Sequence, residues 1–187
     1  HRVLPDCPIP SYNSTVSALT GAMIPLGWTN SEKEERPYLL LFTFSPVQEF
    51  IKASRKFTDF WAGSYLLHYL SARLCWHIAD KCGHDAVIVP SLWGQDIIDA
   101  FLLKQYQEAN DDFYKLLENN FRQNDNSKKT PIERFNEHTS TSLSTAGFPN
   151  VITALVPGLE AAKQLGQKLT DELKADWKDI GTKVRKH

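Results

Sequence analysis

Five short stretches of the chain carry residue types that do chemistry. Ser45-Pro46-Val47-Gln48 follows an apolar run and opens a helical pattern. Ser accepts from a helix's first free N–H groups, Pro suits the first helical position, and Gln three residues after Ser completes a capping box. The amino end of a helix after a strand also attracts an anion or a nucleotide. Capping accounts for every residue type and uses some of those donors, so it stands first; ligand contact through Ser45 and Gln48 is the alternative. Lys52, Arg55 and Lys56 share one helical face, with Glu49 and Asp59 in reach to neutralise them. A solvated, compensated face is the plain reading and a phosphate-facing stripe the alternative. Ala62-Gly63-Ser64 reads as a helix break with Ser64 capping the next helix. Its ligand reading uses Gly63 for close approach and the Ser64 hydroxyl for a base edge.

The other two stretches point to less. His84-Asp85 resembles half of a metal phosphohydrolase site, but that chemistry needs further His and Asp ligands on facing helices. Cys75, His77 and Cys82 lie near it in sequence, in no standard zinc spacing. Asp111-Asp112 falls inside a helical pattern and reads as exposed charge. The chain has no P-loop, no dinucleotide glycine fingerprint, no nucleophile elbow and no paired CxxC.

The elements that must position these residues are legible. Residues 1–37 are rich in Pro, Ser, Thr and Asn and read as a lead-in, with a short helix near residues 15–23. Residues 38–44 are continuously apolar, the pattern of a strand buried on both faces. A helix from residue 46 has the inward stripe Val47, Phe50, Ile51, Ser54, Phe57 and Trp61. A second helix at about 64–81 is apolar nearly all round and should be buried, with Gly83 as its carboxyl cap. A second strand is expected at 86–90 and an amphipathic helix at 97–121. An exposed loop follows at 122–147, then a third strand at 150–156 and a long helix at 159–186 with Leu165, Leu169, Leu173, Trp177 and Val184 on its stripe. The fold class is α+β, a β-α-α-β-insert-β-α order that suits a ferredoxin-like or palm sheet with helices on one face. The helical crossover implies parallel pairing of the first two strands, with a right-handed connection. A fourth strand is expected beyond the last helix.

Composition sets the bounds. The chain has 187 residues and a net charge of −1, so nothing global favours nucleic acid and any such surface must be local. No apolar run is long enough to span a membrane. Three cysteines make no disulfide framework, and reduced thiols are expected. The chain opens on His1 and reads as an excerpt of a longer polypeptide.

Taken together, Phe44-Ser45-Pro46-Val47-Gln48-Glu49-Phe50-Ile51, Ala53-Ser54-Arg55-Lys56 and Asp59-Phe60-Trp61-Ala62-Gly63-Ser64-Tyr65-Leu66-Leu67 closely resemble the first palm domain of the large subunit of type III CRISPR effector complexes, Cmr subtype. Pro5-Asp6-Cys7-Pro8 through Ser17-Ala18-Leu19 is similar to that family's lead-in, Val89-Pro90-Ser91-Leu92-Trp93-Gly94-Gln95 to the end of its second strand, and Phe148-Pro149-Asn150 to the start of its third. The resemblance implies a cytoplasmic RNA-guided antiviral complex whose partners are other protein subunits, guide RNA and target RNA. It implies a parent subunit with an HD nuclease domain for single-stranded DNA and two palms that convert ATP to cyclic oligoadenylate, with Mg²⁺ or Mn²⁺ held by a Gly-Gly-Asp-Asp turn of the second palm.

A catalytic palm places an Asp at the end of its first strand and acidic residues on the next hairpin, to hold two metal ions. Here the first strand ends Phe42-Thr43-Phe44-Ser45, and a long insert at about 92–147 replaces the hairpin. The expectation is a degenerate, non-catalytic palm over residues 38–187 that binds no metal itself. It forms half of an ATP pocket, with Ser45, Gln48, Gly63 and Ser64 as the nucleotide-binding residues. The alternative is a structural domain that docks other subunits without a ligand.

Overall fold

The computed structural model describes residues 9–24, 36–109, 112–137 and 147–186. Two compact units are present: residues 1–91 with 148–187, and residues 92–147. Cys7 and the 5–8 stretch, Asp111, and the acidic run at 32–35 lie outside the described residues.

The first unit is built on three strands, β1 (Pro37–Thr43), β2 (Val87–Val89) and β3 (Val151–Pro157), in the order β1-β3-β2. Both outer strands pair antiparallel with β3, in a register that sets Leu40 and Val87 opposite Ala154 and Leu39 opposite Leu155. The two outer strands therefore run parallel to each other without touching. The parallel pairing of the first two strands expected from the crossover does not occur. The crossover skips one strand width, and β3 enters the gap and satisfies both neighbours' backbone groups. The class is α+β, with a small antiparallel sheet and mostly helices.

Alternation in β3 sends Ile152, Ala154 and Val156 into the core, all fully buried. They meet α3 (Phe57–Cys82), which buries Leu70, Leu74 and Ile78, and α7 (Leu159–Arg185), which buries Leu165 and Leu169. Each fully buried aliphatic side chain contributes roughly 1.5–3 kcal/mol of burial. Arg73 of α3 clamps α7 by donating from Nε and Nη2 to the Asp176 carboxylate at 3.2 and 3.0 Å. Gly83 ends α3 at φ +91°, a conformation that favours glycine. α1 (Ile9–Met23) packs against β3 and the short 3-10 turn at His84–Ala86, burying Ala18 and Ala22.

Three consecutive residues fix the approach to β3. The Phe148 N–H donates to His68 Nδ1 at 3.0 Å, the Pro149 carbonyl accepts from the Ser71 hydroxyl, and the Asn150 amide donates to the Phe44 carbonyl at 3.1 Å. This ties β3 to both α3 and the end of β1.

Several sequence expectations are corrected. β1 is not buried on both faces: Leu39 and Leu41 are 64% and 65% exposed, because the helices cover only the face carrying Leu40 and Phe42. The carboxyl end of α7 leaves Trp177 and Val184 exposed. A helix of 27 residues runs about 40 Å, whereas a seven-residue strand runs about 24 Å, so α7 outlasts the sheet it packs on. No helix among the described residues is long and apolar enough to cross a membrane.

The second unit holds α4 (Asp96–Glu108), α5 (Phe113–Asn124) and α6 (Pro131–Asn136). The single helix expected at 97–121 is two, with Asp112 at the cap position of α5 rather than inside a helix. The expected loop contains α6, whose capping box pairs the Glu133 N–H with the Thr130 hydroxyl and the Thr130 N–H with the Glu133 carboxylate. Arg134 bridges Asp96 and Asp125 at 2.8 and 2.6 Å, and Arg122 bridges Glu118 and Glu133.

Candidate functional site

The chain leaves β1 through Phe44 and Ser45 and enters α2 (Val47–Lys52). Pro46 is extended, at φ −91° and ψ 112°, and itself occupies the cap position. Ser45 therefore lies one residue outside the helix, and the capping box expected with Gln48 does not form. α2 has only six residues. So few peptide dipoles sum to a weak positive end, and the anion attraction expected of a long helix is small here.

Helix α2 ends at Lys52, and the Ala53 and Ser54 N–H groups close back on Glu49 and Ile51 carbonyls. The next helix begins at Phe57, where the Asp59 carboxylate accepts from the Lys56 N–H at 3.2 Å. The break thus falls at residues 53–56 and not at Gly63, and Ser64 lies well inside α3 rather than at its cap. This break also undoes the inward stripe expected for one continuous helix. Phe57 is 82% exposed and Trp61 49%. Asp59 is spent on the backbone, and among the described residues no ion pair joins Lys52, Arg55 or Lys56 to Glu49 or Asp59.

Gly63 has a packing role that the sequence did not reveal. A Cβ there would sit 3.3 Å from the Phe50 ring, so the missing side chain lets α2 close on α3. Phe50 also meets the Trp177 ring edge-on, with centroids 5.5 Å apart. Below these rings lies a cleft of about 390 Å³. Its walls include Phe44, Pro46, Phe50, Leu70, Leu173 and Trp177, with Ser45 and Lys174 as polar members. Volume and a mainly apolar lining with a few polar groups are those of a small-molecule site.

The four sequence candidates are thus divided. Ser45 lines the cleft, while Gln48, Gly63 and Ser64 do not. Gly63 touches the cleft's wall through Phe50. Ser64 is half-buried on α3, one turn beyond Trp61. Sequence reasoning missed the contribution of Leu173, Lys174 and Trp177, which come from α7 more than a hundred residues later. Their only signal was an apolar stripe that read as core.

The remaining chemical residues have local structural partners. Asp85 accepts from the Ser14 hydroxyl at 3.1 Å, and His84 packs edge-on against Trp76. Burial pushes the Cys75 thiol up to about 12, which keeps it protonated and inert. No group of three or more His, Cys, Asp or Glu among the described residues could hold a metal ion.

Residues 39–182, which take in most of β1, the cleft and most of α7, match the family described as CRISPR-associated protein Cmr2, N-terminal. The chain belongs to this family. Over 155 residues it is 30% identical to the CRISPR system Cmr subunit Cmr2 of Pyrococcus furiosus, which covers 83% of the chain and 14% of that Cmr2. The chain therefore spans only a small part of its curated relative. A chain in the cryo-EM structure of the type III-B Cmr-beta bound to cognate target RNA superimposes with a TM-score of 0.61 at 22% identity, covering 95% of this chain and 18% of that one. At that identity the likeness is one of fold. Every candidate residue from Ser45 to Trp177 lies within the segment matched to the Cmr2 N-terminal family.

Proposed function

We propose that this chain is the first, non-catalytic palm of the large subunit of a cytoplasmic type III RNA-guided CRISPR effector complex, and that it forms one wall of an ATP pocket. Membership of the Cmr2 N-terminal family supports the place in the complex. The partners are other protein subunits of the complex, with guide and target RNA reached through it. The sheet order supports the palm reading: β1 and β2 run parallel with β3 antiparallel between them, as in a split βαβ unit, and the free edge of β1 is where a fourth strand would pair.

The cleft beside Ser45 carries the nucleotide reading. The Phe50 and Trp177 rings offer π-faces to a purine, Ser45 a hydroxyl and Lys174 a cation for phosphate. Gly63 backs the Phe50 wall of the cleft, which supports a margin role for it; Gln48 and Ser64 stay in this reading as its sequence neighbours. The chain's own residues bind and orient the nucleotide. The end of β1, Phe42-Thr43-Phe44-Ser45, offers no carboxylate, so Mg²⁺ or Mn²⁺ is left to the second palm.

The test is ATP affinity and cyclic oligoadenylate yield of the assembled complex carrying Lys174→Ala, Phe50→Ala or Ser64→Ala. Weaker ATP binding by the first two supports the cleft, and by the third the margin. Unchanged affinity and yield in all three would remove the site. The apolar bulk of the same wall favours a second reading, a docking surface for a protein subunit. Normal ATP binding with loss of subunit assembly in Phe50→Ala would establish that one instead.

A further inference from the structure

The junction between α2 and α3 presents two features that neither the core nor the cleft uses. One is aromatic. Phe57, Phe60 and Trp61 stand at i, i+3 and i+4 in the first turns of α3, and are 82%, 48% and 49% exposed. Residues at that spacing share a helix face. Phe57 and Phe60 are stacked at 6.5 Å and 19°, and Trp61 stacks on Tyr65 at 5.5 Å and 13°. Flat rings thus follow one another along one side of α3.

The other feature is cationic. Lys52, Arg55 and Lys56 immediately precede this stripe and are all exposed. None has an ion-pair partner among the described residues. Glu49 and Asp59 lie in the same segment, but Asp59 is engaged with the Lys56 N–H and Glu49 forms no ion pair with these cations. None of these six side chains lines the cleft beside Ser45.

A protein partner would use exposed rings without needing three unneutralised cations beside them. A polyanion would use the cations without needing rings. A single strand of nucleic acid uses both, since bases stack on aromatic faces while phosphates take up the positive charge. We infer that this junction binds single-stranded nucleic acid, with bases on Phe57, Phe60 and Trp61 and phosphates on Lys52, Arg55 and Lys56. Because its side chains do not line the cleft beside Ser45, the inference stands whether or not that cleft takes a nucleotide.

The experiment is fluorescence anisotropy of the full-length protein, free of guide RNA, with short unstructured RNA oligonucleotides and their DNA counterparts across a salt series. All the altered side chains are exposed, so the variants should fold, and unchanged melting temperatures verify it. Phe57→Ala and Phe60→Ala should each weaken binding about tenfold. The triple variant Lys52→Gln, Arg55→Gln, Lys56→Gln should lower the slope of log affinity against log salt by about 2, from three phosphate contacts at about 0.7 each. The RNA and DNA arms tell which strand the surface prefers. Wild-type affinity and slope in both sets of variants would overturn the inference. So would aromatic variants that bind oligonucleotide normally but fail to assemble with another subunit, which would make the surface a protein interface. Affinity that does not rise with oligonucleotide length and is abolished by ATP would likewise overturn it in favour of a mononucleotide site.

Discussion

The Phe50 ring stands 3.3 Å from the point where a Cβ on Gly63 would begin. That is closer than most such contacts, so Gly63 and Phe50 act as a matched pair at the α2–α3 crossing. Alanine at Gly63 gains roughly 0.5–1 kcal/mol of helix propensity but requires the half-buried Phe50 ring to shift by a few tenths of an ångström. Gly63→Ala is expected to change stability by less than about 1 kcal/mol. Gly63→Val should cost about 1–3 kcal/mol by overpacking. Denaturant melts of a double-mutant cycle with Phe50→Ala check the pairing: the Val penalty should shrink when the ring is gone.

His68 anchors the approach to β3. Its Nδ1 accepts from the Phe148 N–H at 3.0 Å, and burial lowers its pKa below the usual 6.5. The folded state therefore binds the proton less readily than the unfolded state. Stability from this group is present above pH 6.5 and is lost as pH falls below it. His68→Ala leaves the Phe148 N–H without its acceptor and should cost about 1–3 kcal/mol. His68→Asn, which places an acceptor close to the same position, should restore part of that. Thermal melts of the three proteins at neutral pH decide it.

Asp99 in the second unit behaves in the opposite sense. Burial, and then the neighbouring Asp96, push its carboxyl up to about 6 from 3.8, with Arg134 pulling the other way. The folded state holds this proton more tightly than the unfolded state. Its contribution is favourable at low pH and is lost as pH rises from about 4 to about 6. Hydrogen exchange, corrected for intrinsic rates, should show amides of α4 gaining protection on mild acidification while those around His68 lose it. Asp99→Asn should flatten the α4 response and leave the His68 response intact.

Arg73 and Asp176 join the two long helices through two charge-assisted hydrogen bonds with the partners only partly exposed. Asp176→Ala is expected to destabilise by about 1–2 kcal/mol, less than a fully buried pair because solvent screens part of the interaction. Asp179→Ala removes an exposed, solvent-screened pair with Lys183 on the same helix and should leave stability unchanged. Denaturant midpoints of the two variants test the difference.

Element types were legible in the sequence because their signals are local. The apolar run before Ser45, the 3.6-residue stripes of α3 and α7 and Gly83 at the end of α3 all need only neighbouring residues, and the strands and α7 lie within a residue or two of their expected places, whereas α3 starts seven residues before the expected 64. The α2–α3 junction was misread for a related reason. Ser45 and Gln48 have the residue types of a capping box, but the extended Pro46 took the cap position, and Asp59 capped a helix that the Gly63 rule would have started later.

The sequence by itself determined the family, the α+β class and the absence of a carboxylate at the end of β1, since each is a property of residue identity in order. The tertiary structure alone decided that β3 separates β1 from β2, that Gly63 serves Phe50, and that Trp177, Leu173 and Lys174 complete the cleft beside Ser45. Strand order and cleft walls depend on which distant segments share space. That is set by burying the β3 face between α3 and α7, a balance no local pattern encodes.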